Sequence, residues 1–388
     1  MIYLDHNATT PLCPEAREAM LPWLTDLTGN PSSIHAPGRR ARAAVDDARD
    51  RIAVLLGAKP HEIVFTSGGT ESCNLGILGL ARRHRTEKKS HLVTVATEHY
   101  AVLHSMRMLA DREGFLLTEL PVDRQGLIDP NEFATVLRDD TLLVSVMVAN
   151  NETGVIQPVA ELAALCRVMG ILFHTDSVQS FGKIPGHPCD LGVDAFSTTA
   201  HKYYGPHGAG FLWIRSGVSV EAILQGGFHE NERRPGTENV AAIAGMAVAA
   251  ELASREAILG EESRRQAVMC EQLWCGIASV QPSAVRNASG APVLANTLSV
   301  SFPGCDGETL LMALDLEGIS ASSGSACMVG SINTSHVLMA MGVTEQNARA
   351  TIRFSLGRHT REEEIDATIE ALQRVLARQT PMGNGVRA

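Results

Sequence analysis

The sequence predicts an α/β fold in which a mainly parallel sheet is covered by helices on both faces. Short apolar runs alternate with amphipathic stretches, and strands buried on both faces have this continuous apolar character. The predicted strands are 62–66, 91–96, 142–149, 171–175, 195–199 and 210–215. The helical patterns between them cover 70–85, 100–113, 131–137 and 158–169. This alternation of strands and helices is typical of a parallel sheet.

A change of texture after about residue 255 predicts a second, smaller α+β domain. It contains a charged helix, two strands and two further helices, the last of which opens with the capping-box pattern Thr360-Arg-Glu-Glu363. We expect a large domain over residues 15–255. The small domain is then formed by residues 1–14 and 256–388.

Composition limits the classes of function. The 388 residues are 45% hydrophobic, which is enough to bury a large core. A formal charge of -10 argues against a nucleic-acid surface, because phosphate binding requires clustered Lys and Arg. The longest apolar stretch, 240–250, is too short to span a bilayer, and the start MIYLDHNATT does not resemble a signal peptide. We therefore expect a soluble cytoplasmic protein with no membrane partner and no direct nucleic-acid partner.

The eight cysteines are scattered, with no C-x-x-C pair. This favours reduced thiols over a disulfide framework, and zinc ligation is the weaker alternative, so no metal site is expected. Cys327 differs from the others because it lies in the run SSGSACMVG, which has little side chain to bury. A structural cysteine prefers a packed core. Cys327 is therefore predicted to be a reactive thiol on a mobile loop.

Polar residues follow several of the predicted strands, where ligands of parallel sheets collect. Thr66-Ser67-Gly68-Gly69-Thr70-Glu71 opens a helix and could bind a phosphate, although an ordinary glycine turn is the alternative. His99 follows the next strand, where a lone histidine is more often a capping or packing residue than a catalyst. Asp176 ends a buried strand and needs a partner such as a cationic ring nitrogen, and Gln179 could contact another ring substituent.

Lys202 follows the strand 195–199 and precedes a glycine-rich turn. A partly desolvated lysine has a lowered pKa and can form a Schiff base, whereas a solvated surface lysine is the alternative. Together with a carboxylate, a phosphate-binding helix N-terminus and a histidine for a ring face, Lys202 points to pyridoxal phosphate as the cofactor.

Seven motifs then occur in a recognisable order: TSGGTES, TEH, NNETG, DSVQSFGK, HKYYGPHGAG, RPGTENV and SSGSAC. They resemble the cysteine desulfurases of the NifS/IscS type, in the class-V aminotransferase family. The similarity runs from Ile2 to Gly357 and so covers nearly the whole chain. It implies a fold-type I enzyme that depends on pyridoxal phosphate and has a mainly parallel seven-stranded sheet.

The resemblance also implies a role for each matching residue. Lys202 would hold the cofactor and shuttle protons, His99 would stack on the ring and assist acid–base steps, and Asp176 would pair with the pyridinium. Gln179 would contact the phenolic oxygen, and Asn151 would lie near the ring and the substrate. The phosphate would lie against Gly69, Thr70, Thr199 and His201, with Thr237 reaching it from a partner subunit. Arg353 would bind the substrate carboxylate.

The implied reaction converts L-cysteine to L-alanine, with Cys327 taking the sulfur as a persulfide for an acceptor protein such as an iron–sulfur scaffold. A homodimer is expected. A selenocysteine lyase is the main alternative enzyme, and a sulfur-relay or scaffold-binding protein with vestigial catalysis is the alternative from another class. The chain departs from the family pattern at Met328-Val329, where Thr-Ser is common, and at Phe228, where a third glycine is usual.

Overall fold

The computed structural model describes residues 1–323 and 334–379. The strands found there are β1 (Ile2–Tyr3), β2 (Ile63–Thr66), β3 (His91–Val95), β4 (Leu116–Leu120), β5 (Thr141–Ser145), β6 (Leu172–Asp176), β7 (Ala195–Thr199), β8 (Gly210–Ile214), β9 (Val285–Arg286), β10 (Thr297–Ser301), β11 (Ile319–Ser320), β12 (Ser322–Ser323) and β13 (Thr351–Ser355). The α-helices are α1 (Pro14–Thr25), α2 (Ala36–Leu55), α3 (Gly69–His84), α4 (Tyr100–Glu113), α5 (Pro130–Val136), α6 (Val159–Val168), α7 (Pro188–Leu191), α8 (Val240–Ala253), α9 (Glu256–Val280), α10 (Gly307–Leu316), α11 (His336–Ala340), α12 (Glu345–Arg349) and α13 (Glu362–Gln379).

Seven strands form the central sheet in the order β2-β8-β7-β6-β5-β3-β4. Only β8 runs antiparallel to its neighbours, and every other pair is parallel. The predicted mainly parallel seven-stranded sheet is therefore confirmed. Because the other six strands run in one direction, their carboxyl ends lie at one edge of the sheet.

Both faces of this sheet are covered by helices. Along β2, Ile63 and Phe65 pack in one core with α1, α2, α6 and α8, whereas Val64 packs on the opposite face with α3 and α4. Successive side chains of a strand point to opposite faces, so an uninterrupted apolar run serves both cores. The apolar helix α8 is almost entirely buried. In the described part of the chain, no helix is long and apolar enough to cross a membrane.

A four-stranded antiparallel sheet, in the order β12-β13-β10-β9, lies beside the central one in the chain's second core. That core combines Leu4 near the N-terminus with side chains of α9, α10 and α13. The strand β1 pairs in parallel with β11, which ties the first residues of the chain to its last third. The predicted domain limits, 1–14, 15–255 and 256–388, stay a prediction.

The strand β4 was missed because it lacks a continuous apolar run: it lies at the sheet edge, and most of its residues are half-buried or exposed. The helices α1 and α2 were also not among the predicted elements. The strand predicted over 142–149 ends at Ser145. The apolar residues that follow it include Met147 and Ala149, which line a cavity instead of extending the strand. The charged helix predicted after about residue 255 is α9, which ends at Val280.

Candidate active site

A cavity of about 410 Å³ lies at the carboxyl edge of the central sheet. Residues at or just after the ends of β2, β3, β5, β6 and β7 line it. Ten of the twelve predicted site residues are among them: Gly69, Thr70, His99, Asn151, Asp176, Gln179, Thr199, His201, Lys202 and Arg353. The fold thus brings together residues that are far apart in the sequence.

The N-terminus of α3 opens on this cavity. Gly68, which precedes the helix, has a φ of 152° that L side chains rarely adopt. A Cβ on Gly69 would lie 2.8 Å from Cγ2 of Val178, so only glycine fits without a shift of that side chain. The first N–H groups of a helix have no partner within it, and Thr70 and Thr199 place hydroxyls at the same wall. This end of the cavity suits a phosphate group.

Asp176 ends β6 and is 6% exposed. Its Oδ1 accepts a hydrogen bond from the backbone N–H of Val178 at 2.8 Å, and its Oδ2 accepts one from Sγ of Cys73 at 3.5 Å. Burial raises the pKa of Asp176, while the charges of His99 and Lys202 and both donors oppose that rise. A cation near this carboxylate would stabilise its ionised form.

His99 caps the N-terminus of α4, and its Nδ1 accepts a hydrogen bond from the backbone N–H of Ala101 at 3.1 Å. Burial lowers the pKa of His99, Lys202 lowers it further, and Asp176 opposes this. The neutral ring therefore carries its proton on Nε2. Both uses of His99 that the sequence left open, capping and lining a ligand site, occur together.

Lys202 donates from Nζ to the backbone oxygens of Asn7 and Ala8, each at 2.6 Å. The same Asn7 oxygen accepts a hydrogen bond from Nε2 of Gln179 at 2.8 Å. Asn7 also lines the cavity, and sequence reasoning assigned it no role. In the sequence, Asn7 stood out only because it lies in the N-terminal segment over which the chain resembles the family.

A second lysine, Lys183, lies behind the first. Its Nζ donates to Oε1 of Gln179 at 2.6 Å and to Oδ1 of Asn7 at 3.0 Å. Burial lowers the pKa of Lys183 well below its usual value, and the charges of Lys202 and Arg353 add to this effect. Because Lys183 occupies the oxygen of the Gln179 amide, the amide nitrogen is the end that can donate elsewhere.

Arg353, on β13, is 2% exposed and reaches the cavity from the small sheet. It donates from Nη1 to the backbone oxygen of Asn151 at 2.8 Å and from Nη2 to Oδ1 of Asp5 at 2.7 Å. Its buried Nε has no hydrogen-bond partner among the residues that the structure describes. The guanidinium is held in place while keeping a donor for another group.

Glu152 also lines the cavity, and nothing in the motif NNETG had singled it out. Its Oε2 accepts a hydrogen bond from Oγ of Ser335 at 2.5 Å. Burial raises the pKa of Glu152 to about 7, which the Ser335 hydroxyl and Arg353 only partly offset. His201, nearer the phosphate end, has its pKa lowered to about 4 by burial and by Lys202 and His207.

Two predicted site residues remain to be considered. Cys327 lies outside the described residues, but the segments on either side of it contact the cavity: Ser322 pairs with Arg353, and Ser335 bonds to Glu152. Thr237 lines a separate cavity beside Ser67, so its predicted role in a partner subunit's site stays a prediction.

The residues of the cavity fit pyridoxal phosphate. A glycine cradle at a helix N-terminus and a buried carboxylate suited to a ring nitrogen both line it. A lysine amine, a neutral histidine ring and an arginine guanidinium complete the set of polar groups. No group of three or more potential metal ligands occurs in residues 1–323 and 334–379.

Comparison with known proteins identifies the class. The chain belongs to the aminotransferase class-V family, whose sequence model matches residues 2–368. It is 44% identical to the cysteine desulfurase IscS of Dictyoglomus turgidum (strain DSM 6724 / Z-1310), over 97% of this chain and 94% of that protein. The predicted family resemblance is confirmed.

Solved structures agree with this assignment. A NifS-like protein superposes with a TM-score of 0.89 at 37% identity, covering 97% of this chain and 99% of that one. The protein SspA, solved in complex with cysteine, superposes with a TM-score of 0.80 at 35% identity, covering 92% of this chain and 99% of that one. The fold-type I architecture predicted from the resemblance is therefore confirmed.

Proposed function

We propose that this protein is a cysteine desulfurase that uses pyridoxal phosphate to convert L-cysteine into L-alanine and transfers the sulfur to Cys327. The observation that carries this proposal is the convergence of Lys202, Asp176 and Arg353 on one cavity at the carboxyl edge of the sheet. An amine, a buried carboxylate and a planar guanidinium are the groups that an amino-acid-converting site of this kind requires.

The cofactor would be held at both ends. Gly69, Thr70, Thr199 and His201 would bind the phosphate at the N-terminus of α3, with Thr237 of a partner subunit in a homodimer. Asp176 would bind the protonated ring nitrogen, and the amide nitrogen of Gln179 would donate to the phenolic oxygen. When bound, pyridoxal phosphate supplies an aldehyde that condenses with amines and a ring that stabilises negative charge on the substrate carbon.

Substrate orientation falls to Arg353 and Asn151. The guanidinium lies at the cavity wall, and its fixed plane of N–H donors suits a carboxylate. Asn151 binds Arg353 through its backbone oxygen, so its side chain can contact the substrate or the ring. These two residues would set which side of the substrate carbon faces Lys202.

Proton transfer is assigned to Lys202 and His99. The Nζ atom of Lys202 would take the proton from Cα of the substrate, since a lysine beside other cations in a desolvated site is a usable base. His99 is neutral with its proton on Nε2, so it can donate that hydrogen inside the cavity. Glu152 stands at the same wall as a carboxyl group that binds its proton near neutral pH.

In the sulfur step, Sγ of Cys327 would attack the sulfur of the bound cysteine. A sulfur–sulfur bond forms as the bond between Cβ and sulfur breaks, and the electron pair left on Cβ takes up the proton that the Cys327 thiol has lost. Lys202 would return the proton that it took from Cα, and the product is alanine. The anchoring of Ser322 and Ser335 at cavity residues supports this role, because it places both flanks of the segment beside the site. An iron–sulfur scaffold in the cytoplasm is the acceptor that we propose for the persulfide.

The test is alanine release from L-cysteine with added reductant, for wild type, Cys327→Ser and the matched control Cys275→Ser. Cys275 is exposed, so its loss should leave the rate unchanged. We expect Cys327→Ser to keep the yellow colour of the bound cofactor and to release no alanine. Release at the wild-type rate would exclude Cys327 as the nucleophile and favour a selenocysteine lyase. A colourless wild-type protein would instead favour a sulfur-relay protein without catalysis.

A further inference from the structure

The N-terminal segment contacts the turn that carries Lys202 through side chains that the proposed reaction does not use. The backbone N–H of Thr10 donates to the backbone oxygen of His201 at 2.9 Å, and the Thr10 hydroxyl donates to the same oxygen at 3.0 Å. The oxygen of that hydroxyl accepts a hydrogen bond from the backbone N–H of Tyr204 at 2.7 Å. These bonds hold the two segments side by side and place Thr9 next to the ring of His201.

The hydroxyl of Thr9 lies between two imidazole rings. Its Oγ1 is 3.1 Å from Nδ1 of His201 and 2.9 Å from Nε2 of His207. The two rings stack, with their centroids 5.0 Å apart and their planes inclined by 25°. His201 lines the cavity, whereas His207 is exposed on the glycine-rich turn. One threonine hydroxyl therefore links an exposed histidine to a histidine of the cavity wall.

The protons of this cluster are few, so their positions can be worked out. Burial and the charges of Lys202 and His207 lower the pKa of His201 to about 4, so the ring is neutral and carries one proton. Since Nδ1 faces the Thr9 hydroxyl, Nε2 is the ring nitrogen left for a ligand in the cavity. A charged phosphate oxygen only accepts hydrogen bonds, so a phosphate bound by His201 requires that proton on Nε2.

This requirement sets the direction of the remaining donors. With its proton on Nε2, His201 has a bare Nδ1, which accepts from the Thr9 hydroxyl. That hydroxyl has a single hydrogen, so its oxygen is left to accept from Nε2–H of His207. In the opposite arrangement, Nδ1–H of His201 would donate to Thr9, and the lone pair of Nε2 would repel the phosphate. Only the first arrangement is compatible with a phosphate bound by His201.

We propose that Thr9 and His207 are positioning residues for the phosphate of the cofactor, and that donors running from His207 through Thr9 hold the His201 ring with its Nε2–H available to that phosphate. This inference rests on the proposed function, from which it takes the phosphate contact of His201. Neither Thr9 nor His207 is assigned a contact with the cofactor or the substrate, so both act through His201. Their loss should therefore weaken the binding of the phosphate group in particular.

The first experiment is nitrogen NMR of the holoenzyme with ¹⁵N-labelled histidine, with the two rings assigned by His201→Gln and His207→Gln. We expect a proton on Nε2 of both rings and a bare, hydrogen-bonded Nδ1 in His201. In Thr9→Val, which replaces the hydroxyl by a methyl group, the Nδ1 resonance of His201 should move to that of a nitrogen without a donor. A proton on Nδ1 of His201, or a bare Nε2 in His207, would overturn the proposal.

The second experiment compares the binding of pyridoxal phosphate with that of pyridoxal, which has the same ring and aldehyde but no phosphate. Thr9→Val should weaken the binding of pyridoxal phosphate about tenfold, since a donor to a charged group loses its orientation, and should leave the binding of pyridoxal unchanged. Thr9→Ser keeps the hydroxyl and should bind both compounds as wild type does.

The exposed ring is tested in the same assay. His207→Phe keeps a ring that can stack on His201 but has no donor, and it should weaken the binding of pyridoxal phosphate about threefold, the effect of one neutral hydrogen bond. His207→Gln can still donate and should restore wild-type binding. Because His207 is exposed, these variants test the proposal even where a change at Thr9 disturbs folding.

Thr10→Val is the matched control, because the Thr10 hydroxyl contacts the backbone of His201 and not its ring. It should lower stability without moving the Nδ1 resonance of His201, and a shift equal to that in Thr9→Val would overturn the proposal. Equal weakening of pyridoxal and pyridoxal phosphate by Thr9→Val would also overturn it, because Thr9 would then act on Lys202. These results leave the proposed function standing, whereas a wild-type protein that binds no pyridoxal phosphate would refute both.

Discussion

The pKa of Glu152 leads to a sharp prediction for the variant Glu152→Gln. Burial raises this pKa from 4.5 to about 7, so the folded protein binds the proton more tightly than the unfolded chain does. A shift of that size corresponds to about 3 kcal/mol. Stability gained by the protonated form is fully present below pH 4.5 and is lost as the pH rises through about 7.

Glutamine has the same shape, has no charge to desolvate and keeps a carbonyl oxygen for the Ser335 hydroxyl. Above neutral pH, we therefore expect Glu152→Gln to exceed wild type in the free energy of unfolding by as much as about 3 kcal/mol. Near pH 4 the two proteins should be similar, because Glu152 is then protonated in both the folded and the unfolded state.

Urea unfolding at these two pH values, with cofactor and protein concentrations held fixed, measures the difference. Glu161→Gln serves as the control, since that side chain is exposed on α6 and its replacement should change little at either pH. Equal differences between Glu152→Gln and wild type at both pH values would refute the reasoning, because they would show that Glu152 has the same pKa in the folded and the unfolded state.

Two further predictions concern ligand binding. In Arg353→Lys, a single ammonium group cannot hold Asn151 and Asp5 and also offer a planar donor to a carboxylate. The KM for L-cysteine should therefore rise by about 10- to 100-fold. A fall in kcat at unchanged KM would contradict this prediction. Gly69→Ala would place a methyl group 2.8 Å from Cγ2 of Val178 and should weaken pyridoxal phosphate binding about tenfold. The double variant Gly69→Ala/Val178→Ala should recover most of this loss, and the absence of any recovery would show that the clash is not the cause.

Much of the site followed from one rule about parallel sheets. Because parallel strands end at a common edge, polar residues after separate apolar runs could be expected to meet, as His99, Asp176 and Lys202 do. The motif resemblance added Arg353 and Asn151, which strand ends alone would not have singled out. Their chemical roles remain predictions for the experiments described above.

Other features of the site had no local signal. Cys73 lies in the apolar pattern of α3, where a cysteine reads as core filling. Asn7 is far from Lys202 and Gln179 in sequence, and only the folded chain brings its backbone oxygen within hydrogen-bond distance of both. Pairings between distant backbone segments leave no periodic pattern in the residues that make them.

The class of fold, the covered sheet and the family could be inferred from the order of the amino acids, because continuous apolar strands, glycine turns and ordered motifs are local properties of the chain. Tertiary structure alone decided the strand order β2-β8-β7-β6-β5-β3-β4, the antiparallel insertion of β8 and the placement of β4 at the edge. It also decided the charge states in the cavity: the pKa values of Asp176 and Glu152 depend on burial and on neighbours from different elements. Desolvation and Coulomb interactions act through space, between groups that only the completed fold brings together.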